Sequence, residues 1–142
     1  MRSLFIIAGP TASGKTDLAL ELAERYGGEI IGADSVQVYR GFDIGSAKPS
    51  AEELRGIPHA MIDILDPAQS YSAAQFVQDA LRLYREIRAR GRTPLLVGGT
   101  GQYISAVIEG WGIPEVPPNP DLRAELEAYA VEHGAQALHA RL

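Results

Sequence analysis

The stretch Leu4-Phe5-Ile6-Ile7-Ala8-Gly9-Pro10-Thr11-Ala12-Ser13-Gly14-Lys15-Thr16 decides the fold. Leu4 to Ala8 is a continuous apolar run closed by Gly-Pro, the pattern of a strand covered on both faces in a parallel sheet. Gly9 to Thr16 then carries two glycines four residues apart followed by Lys-Thr, the phosphate-loop (P-loop) pattern, in its expected place between a strand and a helix. The glycines let the backbone curl so that successive N–H groups and the helix N-terminus face phosphate oxygens. Lys15 adds a positive charge, and the Thr16 hydroxyl is placed to help hold Mg2+. Gly9, Pro10, Thr11, Ala12, Ser13, Gly14, Lys15 and Thr16 are therefore the candidate diphosphate- or nucleotide-binding residues, with Thr16 the candidate metal ligand. The motif does not say which molecule carries the phosphate; kinases, NTPases and diphosphate-using transferases all fit it.

Working outward, a helix is expected from about Gly14, with Leu18, Leu22 and Tyr26 as its apolar stripe, Ala19 and Ala23 beside them, and Gly27-Gly28 as its stop. Glu29 to Ala33 reads as a second strand, Pro94 to Val97 as a third, and Met61 to Leu65 as a further short one. Ser72 with Gln75 makes a capping box for a helix whose stripe is Phe76, Ala80, Leu83 and Ile87 and which ends at Gly91. After Gly98-Gly99-Thr100-Gly101, Gln102 to Glu109 looks helical. This alternation of strand and helix implies an α/β fold: a P-loop NTPase-like parallel sheet with helices on both faces. The four prolines between Trp111 and Pro120 mark a connection to the start of a helical region, with one helix after Asp121 (Leu122, Leu126, Tyr129) and another begun at Ala135. The expected organisation is a core over residues 1–110 and a connection with the start of the helical region over 111–142, cut within its last helix.

Composition narrows the function. The chain has 142 residues, 46% of them hydrophobic, and a net charge of −5. That charge offers no general pull on nucleic acid, so RNA binding would need a local patch or further sequence. With no cysteine, disulfides, thiolate metal sites and a cysteine nucleophile are excluded for this chain. The N-terminal apolar run is too short for a signal h-region or a membrane span, so a cytoplasmic protein with no membrane partner is expected.

A hydrolytic NTPase usually has an Asp for Mg2+ after a later core strand; here that place reads Leu95-Leu96-Val97-Gly98-Gly99. The acidic residue that does follow an apolar strand is Asp34, which an α/β sheet puts at the same carboxyl edge as the P-loop. Asp34 is a candidate general base, a magnesium ligand through water, or the N-cap of the following turn.

Five blocks, Gly9–Thr16 (GPTASGKT), Asp34–Arg40 (DSVQVYR), Asp43–Pro49 (DIGSAKP), Pro58-His59 with Ile62-Asp63, and Gly98–Tyr103 (GGTGQY), closely resemble the tRNA dimethylallyltransferase family, in the same order and over nearly the whole chain. The resemblance implies transfer of the dimethylallyl group of dimethylallyl diphosphate to N6 of the adenosine 3′-adjacent to the tRNA anticodon. The P-loop would hold the diphosphate leaving group, with Mg2+ as cofactor. By the family's pattern Asp34 takes the N6 proton, and Thr11 and Thr100 face the reacting centre, so Asp34, Thr11 and Thr100 are the candidate catalytic residues. Asp34, Ser35, Val36, Gln37 and Thr100 would contact a base of the tRNA anticodon loop, and Arg123 is matched to a position that touches tRNA. His59 is read as structural, and the arginines from Arg82 to Arg92 as a solvated helix face.

The chain departs from the family at Ser46, where Thr is usual, at Gln102, where Leu is common, and at Ala60-Met61, where His-Leu is frequent. Family members run to roughly twice this length, on the scale of two domains, and their later half supplies a helical insertion, a tRNA-contacting segment and a further arginine on the diphosphate. A monomer is expected. Two alternatives remain at this level: a small P-loop kinase, and a non-catalytic diphosphate-binding fragment.

Overall fold

The computed structural model describes residues 4–113 and 116–141. Its centre is a parallel sheet of β1 (Phe5–Ala8), β2 (Gly28–Ala33), β3 (His59–Ala60) and β4 (Thr93–Gly98), in the spatial order β1-β4-β2-β3. β4 is the middle member: Leu95, Leu96 and Val97 register with Phe5, Ile6 and Ile7 on one side and with Ile30, Ile31 and Gly32 on the other. Because side chains alternate across a strand, Ile30, Leu95 and Val97 face one layer while Ile31 and Leu96 face the other. Helices therefore cover both faces, as the strand-helix alternation predicts.

The first face is covered by α1 (Lys15–Tyr26). It turns Ala19, Leu20 and Ala23 to the sheet, while Leu18 and Tyr26, expected on the buried stripe, are about half exposed. The α1 stripe is thus rotated from the sequence reading. Two alanines on the contact side let the helix backbone approach β2 and β4 closely, and that proximity outweighs the burial of larger side chains.

The second face is covered by α2 (Ala73–Ala89) and α3 (Gly101–Glu109). The capping box forms as expected: Ser72 Oγ accepts from the Gln75 N–H at 3.2 Å and Gln75 Oε1 accepts from the Ser72 N–H at 2.8 Å. Phe76, Ala80 and Ile87 are buried and Leu83 packs at their margin. Phe76 stacks on Tyr103 of α3 with ring centroids 4.2 Å apart.

The strand expected over Met61 to Leu65 is a correction. The strand is β3, two residues long and just upstream, pairing His59 and Ala60 with Ile30 and Ile31. Met61 (φ 68°) and Asp63 (φ 53°) are left-handed, which no strand accommodates, and Leu65 keeps one isolated bridge to Tyr39. The arginines from Arg82 to Arg92 are exposed, as expected, and several of them are paired. Arg82 pairs with Asp79 and Glu86, and Arg90 and Arg92 reach the nearly buried Glu29, Arg90 at 2.6 Å. Glu29 sits at the amino end of β2, the edge of the sheet away from the P-loop.

Beyond the proline-rich connection, of which Pro114 and Glu115 lie outside the described residues, come α4 (Pro120–His133) and α5 (Ala135–Arg141). Asn119 caps α4 by accepting from the Leu122 N–H at 3.0 Å. The two helices hold each other: Arg141 bonds Glu125 and lies over the Tyr129 ring. Neither helix has a buried residue, so the Leu122, Leu126, Tyr129 stripe covers no core here. No described helix is long and apolar enough to cross a membrane.

Candidate active site

Every carboxyl end of the sheet's strands opens on one cleft, lined by Thr11, Lys15, Thr16, Asp34, Gln37, Ser46, Ala47, His59 and Gly98, among others. The P-loop forms its near side. Ala12 (φ 63°) and Gly14 (φ 79°) are both left-handed, and Gly14 is the N-cap of α1 with no side chain to cap it. The first N–H groups of α1 thus lack a side-chain acceptor and remain available to an anion. Lys15 Nζ donates to Pro10 O at 3.0 Å, folding the ammonium back over the loop. Thr16, on the first turn of α1, is exposed to the cleft.

Close approach of the strands sets the floor. A Cβ on Gly98 would stand 2.1 Å from Ala33 O, so only glycine lets β4 and β2 reach the cleft at the same height. Thr100 follows at once; its N–H donates to Ala33 O at 3.1 Å, and its Oγ1 accepts from the Ser35 N–H at 2.9 Å. The GGTG segment and the start of the Asp34–Arg40 block are thereby joined. Thr100, Ser35 and Val36, expected at the site, are not among the residues lining the cleft.

Asp34 Oδ1 accepts from the N–H groups of Val36 (2.9 Å) and Gln37 (3.2 Å). The capping alternative raised from sequence is therefore realised, and Oδ2 has no hydrogen bond among the described residues. One oxygen orients the carboxylate and the other stays available to chemistry.

The far wall is the segment 43–49, which sequence reasoning identified only as a block of resemblance. Lys48, its side chain 5% exposed, donates to Tyr39 O (2.9 Å), Asp43 Oδ1 (2.8 Å) and Asp63 Oδ1 (2.5 Å). Burial works against its charge, but the two carboxylates outweigh it and hold the ammonium above the usual lysine pKa. The Ser46 hydroxyl donates to Phe42 O, closing the turn from within.

His59, on the sheet-edge strand β3, is hydrogen-bonded as expected, Nδ1 donating to Ile57 O at 2.9 Å, and it also lines the cleft. Burial lowers its pKa below the ordinary histidine value, so the neutral ring is favoured. Arg123 stands apart, mostly exposed on α4 with Glu127 at 3.9 Å, and it is not among the cleft residues. Thr11, Lys15, Thr16, Asp34 and Gln37 are thus brought together; Arg123 is not.

The chain is similar to known proteins in sequence and in fold. The family model described as IPP transferase matches residues 37–142. A tRNA dimethylallyltransferase of Chloroflexus aggregans is 58% identical over all 142 residues, which cover 48% of that relative. One from Thermomicrobium roseum is 55% identical over 136 residues, 96% of this chain and 41% of the relative. The crystal structure of the full-length tRNA isopentenylpyrophosphate transferase from Bacillus halodurans superposes with a TM-score of 0.78 at 50% identity, covering 99% of this chain and 46% of that one. A eukaryotic dimethylallyltransferase acting on tRNA gives a TM-score of 0.74 at 30% identity, over 87% of this chain and 32% of that one. The chain spans about half the length of the curated relatives it matches.

Proposed function

The chain belongs to the IPP transferase family, and on that premise we propose that it is the diphosphate-binding and base-reading part of an enzyme transferring a dimethylallyl group from dimethylallyl diphosphate to N6 of the adenosine 3′-adjacent to a tRNA anticodon. The observation that carries this reading is the single cleft shared by the P-loop and Asp34, with no other carboxylate among the residues lining it. A phosphate grip faces a lone carboxylate, which suits alkyl transfer to an amine with diphosphate as leaving group.

In this reading the N6 lone pair forms a bond to C1 of the donor while the C1–O bond breaks, its electron pair leaving on the diphosphate. Negative charge grows on the leaving group, where the backbone N–H groups of residues 11–16 and the Lys15 ammonium stabilise it. Asp34, held by Val36 and Gln37 through Oδ1, orients the amine and takes its proton late, because adenine N6 is a poor nucleophile. Thr11 stands at the cleft beside the reacting centre, and Thr100 holds Ser35, at the head of the base-facing turn 35–37.

The exposed Thr16 hydroxyl, with a diphosphate and water as the remaining oxygen donors, fits Mg2+, which keeps much of its water shell. When bound there, Mg2+ neutralises charge on the departing diphosphate. No group of three or more His, Cys, Asp or Glu able to hold a metal occurs among the described residues, so Thr16 and the substrate would carry the site. Arg123 would meet the RNA backbone from α4.

The test is prenyl transfer to an anticodon stem-loop by a length-restored protein, this chain joined to the remaining part of the Chloroflexus aggregans relative. Labelled dimethylallyl should appear on adenine N6, and Asp34→Asn should lower turnover about a hundredfold or more. Activity of the asparagine variant within a few-fold of the parent, about 1 kcal/mol in barrier, would remove Asp34 as the base.

A further inference from the structure

We infer that Lys48 is a positioning residue that acts through Gln37 and fixes the amide of Gln37 as a hydrogen-bond acceptor facing the cleft. The inference deepens the function proposed above and rests on it for the identity of the bound base, though not for the geometry.

Gln37 is held at every polar atom but one. Its N–H donates to Asp34 Oδ1, its carbonyl accepts from the Asp63 N–H at 3.1 Å, and its Nε2 donates to Ser46 O (2.9 Å) and Ala47 O (3.3 Å). A primary amide carries two N–H donors, so both are used, and a flip would set Oε1 against two carbonyl oxygens. What Gln37 offers the cleft is therefore Oε1, an acceptor. An acceptor at this position favours a base edge bearing an amine over one bearing a carbonyl, since the latter would leave like poles facing each other.

The lock depends on backbone that does not hold itself. Ala47 (φ 49°) and Asp63 (φ 53°) are both non-glycine residues in the left-handed region. Such conformations persist where the surroundings over-determine them. Lys48 is the shared constraint: it follows Ala47 in the chain, bonds the Asp63 carboxylate, and closes the ring through Asp43 and Tyr39 O. Its three ammonium hydrogens meet three acceptors. Without that ammonium the Ser46 and Ala47 carbonyls and the Asp63 N–H lose their common anchor, and Gln37, which touches all three, loses its fixed orientation.

The test is side-chain amide hydrogen exchange of Gln37, read by NMR on the 15N-labelled chain, in the parent, Lys48→Met and Lys48→Arg, with Gln37→Leu to assign the signal. The Gln37 Nε2 hydrogens should exchange about tenfold faster in Lys48→Met and be partly re-protected in Lys48→Arg, while inorganic diphosphate with Mg2+ binds within about twofold of the parent. An unchanged Gln37 amide in Lys48→Met overturns the inference. Should Lys48→Met fail to fold, Asp63→Asn, at a half-exposed position, loosens the same lock and is held to the same readout. Collapse of the whole spectrum in Lys48→Met, Lys48→Arg and Asp63→Asn alike would make the ammonium a global brace and also overturn it. A length-restored protein that binds no adenine-bearing oligonucleotide contradicts the proposed function instead, and leaves this readout standing.

Discussion

The Thr100 hydroxyl accepts a hydrogen bond from the Ser35 backbone N–H at 2.9 Å, joining the ends of β4 and β2 directly behind the cleft. The turn 34–37 is thus tethered to the strand that forms the cleft floor. Thr100→Val keeps the shape and removes the acceptor. It should cost about 0.5–1.5 kcal/mol in denaturant unfolding of this chain and lower prenyl transfer by the length-restored protein about tenfold or more. Thr100→Ser retains the acceptor and should restore both; a valine variant indistinguishable from the parent in both would show the tether to be idle.

In the proposed function Lys15 serves binding rather than the fold: among the described residues its side-chain hydrogen bond is to Pro10 O. Lys15→Met should leave unfolding free energy within about 0.5 kcal/mol of the parent and weaken diphosphate binding about a hundredfold, the loss expected for a charge-assisted contact in a phosphate site. Calorimetry and a denaturant melt on the same preparation separate the two effects.

His59 gives the fold a pH dependence of defined sign. Burial holds its pKa below the unfolded value of 6.5, so the unfolded chain binds the proton more readily. Stability should therefore rise with pH through the window below about 6.5 and fall as the solution is acidified. Following Tm from pH 8 to pH 5 should show a drop that His59→Gln flattens; an equal drop in both proteins would assign the effect to other groups.

Phe76 is fully buried and stacked on Tyr103, which couples α2 to α3. Phe76→Ala should cost about 3–5 kcal/mol, a large share of the roughly 5–15 kcal/mol typical of a domain, and circular dichroism should report a markedly lower Tm. Phe76→Leu should retain the fold with a smaller loss.

The parts legible in the sequence were those set by local chemistry. The apolar run before Gly9, the P-loop spacing, the capping box at Ser72 and Gln75, and Asp34 after an apolar strand each stand where they were expected, but the apolar run is not covered on both faces: it forms the edge strand β1, with Phe5 and Ala8 exposed. The parts that were not legible depend on what lies opposite. The face α1 buries is chosen by how closely the helix must approach β2 and β4, so Ala19 and Ala23 prevail over Leu18 and Tyr26. β3 is short because Met61 and Asp63 turn left-handed, and Asp63 does so within the ring closed by Lys48, whose partners Tyr39, Asp43 and Asp63 are scattered through a long irregular connection. No periodicity marks such a ring; only the block-wise resemblance drew attention to its residues.

The central claim is that this P-loop holds a prenyl diphosphate rather than a nucleotide. It is tested most directly by calorimetric titration of the chain, with Mg2+, against dimethylallyl diphosphate or its thio analogue and, separately, against ATP. The account predicts saturable binding of the prenyl diphosphate, lost in Lys15→Met, with ATP at least about tenfold weaker. Tight ATP binding with no preference for the prenyl compound would contradict it.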